Sequence, residues 1–84
     1  MAQFHSAYRN PDSGESRFIL VLDEPVPWAE AFVVVKLFPD PNRFSVKFWG
    51  STSFDETVSR WNTNEPYNPQ PHEVSKALDI VGML

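Results

Sequence analysis

The stretch that most constrains this chain is FVVVKLFPDPNRFSVKFWG, Phe32 to Gly50. Two runs rich in β-branched and aromatic residues flank PDPN, a sequence with turn chemistry: Pro41 presets φ and Asn42 is well tolerated at the next turn position. A four-residue loop, Pro39 to Asn42, pairs Phe38 with Arg43 and fixes every later pair. Leu37 then faces Phe44, Val35 faces Val46 and Val33 faces Phe48. Those six side chains share one face and all are apolar. A one-residue slip would mix the faces, so turn length and side-chain pattern specify the same register.

Other strands lie on the N-terminal side. Gln3 to Arg9 alternate, with Phe4, Ser6 and Tyr8 on one side and Gln3, His5 and Ala7 on the other. NPDSGES, Asn10 to Ser16, is dense in turn formers. RFILVLD comes next as a short apolar run bounded by charges. EPVPWAEA, Glu24 to Ala31, has two prolines and reads as a loop around Trp28.

After Gly50 the period changes. Ser53 and Glu56 have capping-box spacing, and Phe54, Val58 and Trp61 recur at helical intervals. NTNEPYNPQP is a connector whose prolines stop any helix. Its Pro66 to Pro69 has P-x-x-P spacing, but no basic flank favours docking over a stiff linker. HEVSKALDIVGML then places Val74, Ala77, Leu78 and Val81 on one helical stripe. The expected fold is α+β: a four-stranded antiparallel sheet, with central hairpin 32–38/43–49. Two C-terminal helices, about 53–62 and 72–82, pack on one face. The 84 residues suffice for one domain, 1–84.

Little chemistry is legible. The chain has no cysteine, which excludes disulfides and thiolate sites. His5 and His72 sit in no ligand motif. Asp23 and Glu24 adjoin at the end of the second strand, and neighbours on a strand point to opposite faces, which is unsuited to paired carboxylate catalysis. Three glycines form no phosphate-cradling loop. No basic leader with an apolar core opens the chain, and no run reaches the roughly 18–20 apolar residues of a membrane span. The expectation is a cytoplasmic, non-enzymatic protein with no cofactor, no metal and no membrane contact.

The second face of the hairpin is the candidate site. It carries Phe32, Lys36, Phe38, Arg43, Lys47 and Trp49, half aromatic and half cationic. Lys36, Arg43 and Lys47 stand against Asp40 alone in residues 31–50, a net +2, so the rest of this −4 chain carries −6. Such an island favours an acidic partner in one orientation. Trp and Arg are also common interface anchors. A competing structural reading lays the stems of Arg43 and Lys47 over neighbouring rings and folds the Trp28 loop across the face. The functional expectation is an inhibitor or adaptor that occludes a larger protein or complex, of the type phages and mobile elements use against host defence. The alternative is a single-stranded nucleic-acid module, with aromatics stacking bases and cations tracking phosphates. The net negative charge argues against it. A homodimer through the same face is compatible with the sequence but not required by it.

Overall fold

The computed structural model describes residues 2–24, 27, 31–40, 43–49, 58–59 and 64–83, with the side chains of residues 48 and 49 excepted. The elements in chain order are β1 (Ala2–Arg9), β2 (Ser16–Leu22), β3 (Phe32–Leu37), β4 (Phe44–Trp49), β5 (Glu65–Pro66) and α1 (Pro71–Gly82). The strands form one antiparallel sheet in the order β4-β3-β2-β1-β5.

The central hairpin has the register that its turn demands. Val33 pairs with Phe48, Val35 with Val46 and Leu37 with Phe44, while Lys36 pairs with Ser45 and Val34 with Lys47. The loop closes through Arg43 N–H to the Asp40 carbonyl at 3.0 Å and Phe38 N–H to the Arg43 carbonyl at 3.3 Å. Pro41 and Asn42 lie outside the described residues. The β1–β2 loop is built on Asn10, whose side-chain oxygen accepts from the Asp12 and Ser13 amides at 2.9 and 3.4 Å. Gly14, at φ 75°, donates to the Asn10 carbonyl at 2.9 Å and supplies the left-handed residue that this turn needs.

Three expectations need correction. The sheet has five strands rather than four. Glu65–Pro66, inside the proline-rich connector, pairs with Arg9 and Tyr8, and the Tyr67 amide extends the contact to the Ala7 carbonyl at 2.9 Å. Pro66 can sit there because an edge strand needs no second row of donors. Next, strict alternation along β1 fails. The register shifts between Phe4 and Ser6, so Phe4 pairs with Leu20 and Ala7 with Phe18 on one face. One extra residue in the strand reverses parity, as a β-bulge does.

The third correction concerns the helices. One C-terminal helix, α1, is present among the described residues rather than two. The stretch about 53–62 lies outside them except for 58–59, which are helical. Val58 packs with Ile19, Phe32 and Val34, on the face opposite α1. The two segments therefore do not share one side of the sheet. Periodicity identifies which side of a helix is apolar but not which sheet face receives it. The continuous apolar runs of β2 and β3 need cover on both faces.

Helix α1 starts where the sequence stops being extended. Pro71 occupies the first turn, where its missing N–H costs nothing. Glu73 reaches back to accept the Gln70 amide at 3.0 Å. Ala77, Ile80 and Val81 are buried against Phe18, Leu20, Val33, Val35 and Leu37, with Val74 and Leu78 at the margin. Full burial of each such aliphatic or aromatic side chain stabilises the fold by about 1.5–3 kcal/mol. No helix among the described residues is long and apolar enough to cross a membrane.

Candidate functional site

The second face of the sheet divides into two halves. Its apolar half is Ile19, Phe32 and Val34, each at most 1% exposed, with Tyr8, Ala31 and Val58 packed around them. Phe32 is therefore a core residue and presents no ring to a partner. The aromatic content that suggested recognition serves, at this position, to fill a second hydrophobic layer.

The polar half occupies the other end of the same face. Arg17 on β2 stands directly opposite Lys36 on β3, and Lys36 opposite Ser45 on β4. Like charges facing each other across strands repel unless an acid intervenes. Glu15 does so: its Oε1 accepts from Arg17 Nε at 3.3 Å and lies 3.6 Å from Lys36 Nζ. The side chains of the three are only 15–22% exposed, which limits screening by solvent. One carboxylate thus serves two cations. Beyond them, Lys47 is exposed on β4. The Arg43 guanidinium lies 4.3 Å from the centre of the Phe38 ring, a cation–π contact worth roughly 0.5–1 kcal/mol when exposed.

The structure thus brings Lys36, Phe38 and Arg43 to one end of the second face, sets Lys47 on the same face opposite Val34 at the margin of the apolar half, and removes Phe32 from the exposed surface. Trp49 pairs with Phe32 in the backbone register, while its side chain and the Trp28 loop lie outside the described residues. Sequence reasoning placed Arg17 only at the border of this face, and Glu15 was missed because it ends a loop. The cross-strand position of Arg17 against Lys36 follows once β2 and β3 are aligned.

A concave surface of about 410 Å³ lies along β1 and the connector, lined by Phe4, His5, Ser6, Tyr8, Tyr67 and Asn68 among others. His5 Nδ1 and Ser6 Oγ, of sequence neighbours, are 3.0 Å apart there, His5 exposed and Ser6 half-buried. Close by, Arg9 stacks 4.2 Å over the Tyr67 ring, and the Tyr67 hydroxyl donates to Glu73 at 2.7 Å. That network ties β1 to the start of α1. Among the described residues no three His, Cys, Asp or Glu side chains gather as metal ligands would. No family model, curated protein or solved structure matches the chain.

Proposed function

We propose that this chain is a small, non-enzymatic cytoplasmic binding protein that docks the cationic end of its hairpin on an acidic surface of a larger protein and acts by occluding it. The observation that carries the reading is the placement of Arg17, Lys36, Arg43 and Lys47 on one face, the first three toward its turn end and Lys47 one step along β4, on a chain with only seven Lys and Arg in all and a net charge of −4. Such polarity orients an encounter and discriminates against basic partners. An inhibitor, including one directed at a defence system, is the simplest use of a domain that blocks without reacting.

Single-stranded nucleic acid is the weaker reading. Stacking platforms need open aromatic faces, whereas Phe32 is buried and Phe38 lies against Arg43.

The test is affinity capture from a lysate of the encoding organism, comparing the native chain with an Arg43→Glu, Lys47→Glu variant. Asp12→Lys, a charge change in the exposed β1–β2 loop, serves as control. One protein held by the native chain and the control but lost by the double variant supports the reading. Equal capture by all three contradicts it. Saturable binding of a thymidine 15-mer that the double variant loses favours nucleic acid instead.

A further inference from the structure

The two borders of the sheet are not treated alike. On one border, β1 is bulged between Phe4 and Ser6 and is capped by β5 at Tyr8 and Arg9. Bulges and covers are ordinary devices against strand addition. On the other border, β4 pairs with β3 in an unbroken six-residue register. Among the described residues no strand lies on its outer side.

The side chains of β4 show what would suit that edge. Phe44 is 45% exposed although its cross-strand partner Leu37 is 7% exposed. Helix α1 packs on β1, β2 and β3, and the apolar face runs on past it to Phe44 and Val46. The opposite side of β4 carries Ser45 and the exposed Lys47, beside Lys36 and Arg43. An incoming strand would meet an apolar row on one side and a cationic row on the other. A second copy of this chain, added about a two-fold axis, would bring the cations of both copies onto one face, which disfavours self-pairing. An acidic strand meets no such repulsion.

We infer that the edge of β4 accepts an extended segment of the partner protein in which acidic and apolar residues alternate, the acids facing Lys47 and the apolar residues facing Phe44 and Val46. This rests on the cationic end being the binding surface, and it adds the mode of docking. Backbone hydrogen bonds supply affinity and alternate side chains supply specificity, as in other strand additions. The alternation follows from the period of two along any strand.

The probe is a fluorescein-labelled, amidated peptide of alternating glutamate and valine, seven residues long, titrated by anisotropy and by amide chemical shifts of the labelled protein. A block peptide of the same composition carries the same charge without the alternation. The expected result is saturable binding that shifts the amides of Phe44, Val46 and Lys47, at least ~10-fold tighter than for the block peptide. Lys47→Glu should lose that binding and prefer an alternating lysine and valine peptide. Phe44→Ser, which keeps every cation, should bind the two acidic peptides equally. Equal binding of both acidic peptides by the native chain overturns strand addition while leaving the charged surface intact. Absence of saturable binding up to about 1 mM, a standard free energy near −4 kcal/mol, overturns it as well.

Discussion

Arg17 and Lys36 face each other on neighbouring strands, and the Glu15 carboxylate lies within 3.3 Å of one and 3.6 Å of the other. Neutralising that carboxylate leaves two half-buried cations opposed. Glu15→Gln is therefore expected to cost about 1 kcal/mol in low salt. Adding Lys36→Met should recover most of that loss, because the repulsion goes with the lysine. Urea unfolding of the two single variants and the double variant measures the coupling. Additive losses would mean that the three charges act independently.

Phe32 gives the sharpest contrast between a surface and a core assignment. At 1% exposure, packed beside Ile19, Val34 and Val58, it belongs to the fold. Phe32→Ala should cost about 3–5 kcal/mol, a large share of the roughly 5–15 kcal/mol typical of a whole domain. Thermal unfolding monitored by circular dichroism reads the change. A variant that melts with the native chain would return Phe32 to the surface.

Gly14 is the one described residue whose backbone requires glycine. Its φ is 75°, and a Cβ placed on it would lie 3.0 Å from Pro39 Cγ. Gly14→Ala combines left-handed strain with that close contact and should cost about 1–2 kcal/mol. Denaturant midpoints of Gly14→Ala and Gly82→Ala provide the check. Gly82 has open space around it and no positive φ, so its substitution should leave stability unchanged or slightly raised.

The link between Tyr67 and Glu73 makes stability depend on pH at both ends. Partial burial pushes the Glu73 carboxyl up. The Tyr67 hydroxyl, the Gln70 amide, Arg9 and His72 outweigh it, and the net is below the ordinary 4.5. The folded value is thus the lower one. The stabilisation is present above pH 4.5 and is lost as pH falls through the folded value. The hydrogen bond to Glu73, then burial and the charge of Glu73, hold the Tyr67 hydroxyl above its ordinary 10.0, with Arg9 opposing. Its contribution is present below pH 10.0 and is lost as pH rises through the folded value. Glu73→Gln should cost about 0.5–1 kcal/mol at pH 7, with the deficit shrinking as pH falls through the folded value of the Glu73 carboxyl. A deficit independent of pH would locate the effect in packing.

Much of this fold was legible because local and long-range signals agreed. The PDPN turn length and the shared apolar row of Val33, Val35, Leu37, Phe44, Val46 and Phe48 specify one register, and that register is observed. Helix α1 begins at Pro71, one residue before the start read from its apolar stripe. Three features were illegible for separate reasons. The bulge after Phe4 adds a residue without any glycine or proline to mark it. Strand β5 is two residues long and contains proline, below the reach of any periodicity. Phe32 looked like a surface aromatic because its row also held Lys36 and Lys47. The contrary signal was present in Phe18 to Leu22 and Phe32 to Val35, two unbroken apolar runs. A strand buried on only one face would alternate. Lys36, Arg43 and Lys47 were legible from charge and turn register, while Glu15, the acid that Arg17 and Lys36 share, needed the alignment of β2 with β3.

Docking on an acidic partner makes the cationic end of the hairpin both steer and hold that partner in the proposed reading. Its most direct test is the association rate of the captured partner with the native chain and with the Arg43→Glu, Lys47→Glu variant, measured across ionic strength. The variant is expected to associate at least ~10-fold more slowly in low salt, and the two rates to converge as salt approaches roughly 1 M. Equal rates at every salt concentration would contradict it and move the binding surface elsewhere on the molecule.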